Sequence, residues 1–179
     1  MQPEQYQADV QRELRRLKKR AEQAIAQITE EDLFKSLDEE SNSIAVILKH
    51  MAGNMRSRWR SFLVSDAEKP DRNRDQEFIL GPADTEGSLL AAWEESWGLL
   101  FDTLRTLQPE DLDSTVLIRG EPHLVVQAIG RELVHYAYHV GQIVLLAKHL
   151  AGTNWQPLTI PRGKSDAFNA TPKPYLEEL

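Results

Sequence analysis

The sequence predicts an all-α protein: a four-helix bundle with a small β-hairpin before the last helix and an irregular C-terminal tail. Three observations carry the prediction. Four long stretches repeat apolar residues at steps of three and four, the period of a helix with one buried face. Two short β-prone runs flank Gly120, immediately before the last of these stretches. Beyond it, Pro157, Pro161, Pro172 and Pro174 interrupt any regular element, so the tail drapes over the bundle.

The first helix covers residues 4–28, with Val10, Leu14, Leu17, Ala21, Ala24, Ile25 and Ile28 inward. Its other face carries Arg12, Arg15, Arg16, Lys18, Lys19 and Arg20, a candidate phosphate-binding stripe. In an acidic protein, with Glu13 and Glu22 nearby, a solvated face is the favoured reading. A polar connection with a short apolar centre follows. The second helix begins at Ser41 or Asn42, both good N-cap residues, and buries Ile44, Ile47, Leu48, Met51, Met55, Trp59 and Phe62. Gly53 lies inside it, at a cost of about 1 kcal/mol relative to Ala, and reads as close packing against a neighbouring helix.

A long polar loop with Pro70, Gly81, Pro82 and Gly87 comes next. Loops of this length are uncommon in compact domains and are often functional. It also permits a crossover, so simple up-down-up-down order is not required. The third helix, over residues 89–107, turns Leu89, Trp93, Trp97, Leu100, Phe101 and Leu104 inward. The hairpin follows Pro109. The fourth helix runs over residues 127–150 and stops near Gly152, a residue suited to the position just past a helix end. The chain shows no internal repeat and no low-complexity segment.

Composition narrows the function. A chain of 179 residues suggests a single domain, residues 1–179, large enough to bury a core. No apolar run reaches the roughly 18 residues of a membrane span, and the polar start lacks a secretory h-region. The expectation is a cytoplasmic protein that does not bind membranes. A net charge of −7 argues against nucleic acid as a partner. There is no cysteine, which excludes disulfides, thiolate metal ligands and a protein thiol nucleophile. Any thiol chemistry must use a thiol brought by a substrate.

The histidines are the informative residues. His135 and His139 are four apart on the last helix, so their Cβ atoms lie about 5–6 Å apart on one face and can share a metal ion. The residues between them are Tyr136, Ala137 and Tyr138, without the internal glutamate of an HExxH zinc site. On spacing alone, two satisfied core histidines would be the plainer reading. His50 also sits within a long apolar helix, and bundles build metal sites from inward side chains on facing helices. Three imidazoles leave a divalent ion an open position, as catalytic sites do. His123 and His149, at the ends of the last helix, are poorer candidates.

A histidine in the second helix and an HxxxH followed by GQI in the last resemble the DinB-like superfamily of bacterial four-helix metalloproteins. The stretches NSIAVILKHMAGNMRSRWRSFLVSDAEKPDRNRDQEF, IRGEPHLVVQAIGRELVHYAYHVGQIVLLAKHL and TIPRGKSDAFN are similar to one bacterial subgroup of it, and together span most of residues 42–169. The resemblance implies a DinB-like helical bundle, often a homodimer, with His50, His135 and His139 holding zinc, nickel or a similar ion. Some relatives are metal-dependent transferases or isomerases that use bacillithiol, mycothiol or glutathione.

The leading expectation is therefore a metal-dependent transferase that passes a low-molecular-weight thiol to an electrophilic small molecule. One alternative is a hydrolase using metal-activated water, which needs a general base such as Glu132 or a loop carboxylate. Another is a non-catalytic, metal-stabilised dimer, with Trp59, Trp93, Trp97 and Trp155 as interface or core residues. Candidate substrate contacts are Asn54 and Arg58, which continue the His50 face, Arg72 and Arg74 in the loop as carboxylate or phosphate ligands, and Gln142. Asp75 and Glu77 would pair with those arginines or hold an amine. Glu132, three residues before His135, would orient that imidazole from behind. Tyr136 and Tyr138 read as packing residues.

Overall fold

The computed structural model describes residues 2–175; the last four residues of the predicted tail, 176–179, lie outside them. The helices are α1 (Pro3–Ile25), the one-turn α2 (Glu30–Leu33), α3 (Ile44–Trp59), α4 (Glu86–Thr106), α5 (Val125–Ala151) and a short α6 (Ser165–Ala170). Strands β1 (Thr115–Ile118) and β2 (Glu121–Leu124) form an antiparallel hairpin directly before α5. The predicted four-helix architecture with its hairpin is what the chain adopts.

Local chemistry explains where the boundaries differ from expectation. The cap of α3 is Ser43, whose Oγ accepts from Val46 N at 3.3 Å; Ser41 is engaged instead with Asp38. Helix α4 starts three residues early because Thr85 and Ser88 form a reciprocal capping box. Helix α1 ends at Ile25, before the predicted residue 28. The tail is less irregular than its prolines suggested, since residues between Pro161 and Pro172 are free to form α6.

Side-chain contacts give the helix directions. Tyr6 donates to Val126 O at 3.2 Å and Gln27 to Gln156 O at 3.2 Å, so α1 and α5 run parallel. Lys49 meets Asp84 at 2.8 Å and Thr103 donates to Trp59 O at 3.1 Å, so α3 and α4 are also parallel. Arg58 pairs with Glu132 and Tyr136 with Asn54, which sets α3 antiparallel to α5. The order is up-down-down-up. A parallel pair cannot be joined by a tight turn, because the chain must first travel back along the roughly 24 Å of α3. Residues 60–85 make that return. They are pinned to α3 at Ser57, which bonds Ala67 O and Lys69 N, and at Lys49, which donates to Ile79 O.

The hairpin is tied to this crossover. Its turn residues, Arg119 and Gly120, both have left-handed φ angles of 56° and 76°, as a two-residue hairpin turn requires. The Asp66 carboxylate accepts from both turn amides, at 2.9 and 2.7 Å, and Ala67 N donates to Leu117 O at 2.8 Å.

The core contains Trp59, Trp93, Trp97 and Tyr136, all fully buried. Of the four tryptophans read as interface or core residues, three are thus core. Tyr138 is a correction: it is exposed on α5, not packed. Half of the basic face of α1 is ion-paired, with Arg12 bound by Asp9, Arg16 by Glu13, and Lys18 by Glu22 and Glu94. Arg16 is buried beneath the Tyr175 ring. Among the described residues, no helix is long and apolar enough to cross a membrane.

A buried chain of hydrogen bonds joins α3 to α5: Trp59 Nε1 donates to the Tyr136 hydroxyl at 2.9 Å, which donates to Asn54 Oδ1 at 3.1 Å. Tyr136→Phe removes the middle link and strands a buried indole N–H. The expected loss is about 1–3 kcal/mol of unfolding free energy, read by urea denaturation.

Candidate metal centre

Helices α3 and α5 cross antiparallel so that His50 faces His135 and His139. The three imidazoles meet through their Nε2 atoms. His135 Nε2 is 3.1 Å from His139 Nε2 and 3.4 Å from His50 Nε2, and one nitrogen from each of the three lies within 4.8 Å of the others. His50 and His139 are buried and His135 is half-buried.

The Nδ1 atoms decide the tautomers. His50 Nδ1 donates to Glu77 Oε2 at 2.8 Å, and His139 Nδ1 to Gln142 Oε1 at 2.8 Å. His135 Nδ1 faces Glu132 Oε2 at 3.4 Å, long for a hydrogen bond, and both atoms are otherwise without partners. A proton held on Nδ1 leaves Nε2 as a lone pair. Lone pairs therefore converge on one point, an arrangement that a cation would satisfy. Nitrogens bound to zinc at 2.0–2.1 Å in tetrahedral geometry lie about 3.3 Å apart, close to the separations found here. The donor set fits a divalent transition metal.

Two of the carboxylates behind the histidines are held by arginines. Arg72 grips Glu77 with two bonds, Nε to Oε1 at 2.8 Å and Nη2 to Oε2 at 2.9 Å. Arg58 Nε donates to Glu132 Oε1 at 2.8 Å. Burial raises the Glu77 carboxyl, but His50 and Arg72 outweigh it and hold it below the usual range. Glu132 is likewise lowered: burial opposes ionisation, and His135 and Arg58 overcome it. His139 is pushed down to about 4, first by burial and then by its neighbour His135, so its imidazole is neutral at ordinary pH.

Gly53 has a different partner from the one its sequence suggested. It packs against a one-turn 3-10 helix of the crossover, Asp75–Phe78, and not against another long helix. A Cβ there would lie 2.4 Å from Glu77 Oε1 and 2.7 Å from its Cδ. Glycine is what lets the carboxylate reach His50, one turn away on the same helix.

The family described as a protein of unknown function, DUF1572, matches residues 2–164. The chain belongs to that family. No curated protein and no solved structure shows a significant match.

The remaining candidates fall into place around the histidines. Asn54 and Arg58 line a small cavity of about 180 Å³ that opens on His50 and His135, and Arg72 and Arg74 reach it from the crossover. Asn54 Oδ1 is occupied by the Tyr136 hydroxyl, and Arg72 is engaged by Glu77 and Glu68. Gln142 orients His139 from behind. His123 sits on the hairpin near Arg131, and His149 is exposed; neither joins the cluster. A larger groove of about 810 Å³ lies between α3, α4 and the crossover, on the far side of the Arg72–Glu77 pair, and does not include the histidines. The role of Glu77 behind His50 was missed in the sequence because 27 residues separate them. The crossover's unusual length was the one available signal.

Gly53→Ala gains helix propensity yet displaces Glu77. It should weaken zinc or nickel binding about 10–100-fold in a competition titration with a chromogenic chelator, with helical content unchanged. The low pKa of His139 sets a second expectation. Unfolded, it takes a proton near 6.5; folded, only near about 4. The unfolded state therefore binds more protons between these values, and metal-free protein loses stability as pH falls from about 6.5 to about 4. His139→Asn should flatten the thermal-unfolding profile across that window.

Proposed function

We propose that His50, His135 and His139 hold a divalent ion, zinc or nickel, and that the protein transfers a low-molecular-weight thiol to an electrophilic small molecule. In this reading the family is a branch of the DinB-like superfamily. The observation that carries it is the convergence of three Nε2 atoms, two of them on imidazoles whose Nδ1 protons are held from behind by Glu77 and Gln142. When bound there, the ion supplies a Lewis acid that draws a thiol's pKa down from about 8.5, so the sulfur is a thiolate at neutral pH.

The chain's own residues do the positioning. Glu77 and Gln142 fix the two buried imidazoles, and Glu132 stands behind the third. His135, half-buried, lies at the open side where the small cavity admits a reactant. The attacking sulfur must come from the cosubstrate, since the chain has no cysteine. A new carbon–sulfur bond forms on the electrophile, whose leaving group departs with the bonding pair. Hydrolysis is less well supported. It needs a free general base, and the carboxylates nearest the histidines, Glu77 and Glu132, are engaged by Arg72 and Arg58 and held ionised with lowered basicity.

The test begins with metal content by mass spectrometry on protein purified without a metal-binding tag, beside His50→Ala and His139→Ala. About one divalent ion per chain is expected, lost in both variants. Turnover of an electrophilic probe should then depend on added thiol. Wild-type protein that takes up no metal from zinc or nickel solutions would sink the site. Thiol-independent turnover would favour hydrolysis.

A further inference from the structure

The mouth of the histidine site is strongly cationic in a protein whose net charge is −7. Five arginines, Arg58, Arg72, Arg74, Arg119 and Arg131, line the cavity of about 180 Å³ that opens on His50 and His135. Two of them are neutralised: Arg58 by Glu132 and Arg72 by Glu77. The third nearby carboxylate, Glu68, is shared. It accepts from Arg72 at 3.0 Å and Arg58 at 3.2 Å before Arg119 reaches it at 3.4 Å. Arg74 and Arg131 have no carboxylate partner among the described residues. Arg74 lies over the Phe78 ring, and Arg131 Nη1 is 3.2 Å from His123 Nε2. Five guanidiniums outnumber the four carboxylates around them, Glu68, Glu77, Glu132 and Asp66, the last of which is spent on the hairpin-turn amides, and they surround a space that a small anion could fill.

The three under-neutralised arginines come from three segments. Arg74 is on the crossover, Arg119 at the hairpin tip, and Arg131 one turn before His135 on α5. Arg119 is the telling one. It occupies a left-handed position, φ 56°, where the turn favours Asn or Gly and a side chain is disfavoured. The Asp66 carboxylate holds that turn through the amides of Arg119 and Gly120. A strained backbone kept in place by a dedicated clamp, presenting a guanidinium to the mouth of a site, points to a ligand contact.

We propose that Arg74, Arg119 and Arg131 form a collar that recognises an oxyanion group, carboxylate or phosphate, on the small molecule entering the histidine site. Guanidinium forks suit both groups. The collar rests on the reading of the histidines as the reacting centre, and it names the chemical class of what reacts there. A cavity of about 180 Å³ takes the reacting end of such a molecule, with the remainder outside.

The test is isothermal titration calorimetry at low ionic strength with inorganic phosphate and, separately, succinate, into metal-free and metal-loaded protein. Variants are Arg74→Gln, Arg131→Gln and Arg119→Gly; the last relieves the turn while removing the guanidinium. Arg105→Gln, on an exposed pair with Asp102 at the end of α4, is the control. Saturable binding of at least one oxyanion is expected, about tenfold weaker in each collar variant and unchanged in the control. Which oxyanion binds more tightly assigns the group. The collar is overturned if neither oxyanion binds, or if the collar variants bind as well as wild type. Because the metal-free arm does not depend on the ion, failure to load metal would count against the histidine reading alone.

Discussion

Glu77 is a buried carboxylate with three neighbours it cannot do without. Its two oxygens take His50 Nδ1 and a bidentate Arg72, and its terminal atoms rest against the bare α-carbon of Gly53. A carboxylate this enclosed stays ionised only with such partners, and removing one would leave charge uncompensated in a poorly solvating setting. The same contacts fix the His50 tautomer, hold the crossover onto α3, and require glycine within a helix. Local structure, packing and site chemistry thus meet in one side chain.

The crossover owes its course to helix direction. Because α3 and α4 are parallel, the chain must retrace α3 from its last turn to its first, and in doing so passes the level of His50. The route delivers Glu77 behind an imidazole, Arg72 beside it, and Asp66 to the hairpin turn. A topology that buries four apolar faces therefore also supplies the layer of side chains behind the three-histidine cluster.

Charge is distributed with purpose around that site. The buried acids Glu77 and Glu132 are matched to Arg72 and Arg58, so the interior keeps orientation without excess charge. His139, stripped of water and facing another imidazole, is neutral and available as a ligand. Outside this layer the balance reverses, and the mouth is positive although the molecule as a whole is acidic. Anionic small molecules would be drawn towards such a mouth, since a field confined by low-dielectric walls acts beyond contact distance.

What the sequence determined by itself was the set of features governed by local periodicity. The inward faces of the four long helices, the hairpin around Gly120 and the pairing of His135 with His139 all follow from spacing along one element. The link to His50 needed the expectation that inward histidines on facing helices meet. The tertiary structure alone decided which helices run parallel, and hence that the crossover lies along α3. It alone placed Glu77 against His50, gave Gly53 a carboxylate for a neighbour, and turned Arg72 from a candidate ligand contact into part of the scaffold. It also brought Arg119 and Arg131 to one opening from segments with no common pattern. Those relations join residues far apart in the chain, and no periodicity encodes them; they arise only when burial of the apolar faces fixes the helices against one another.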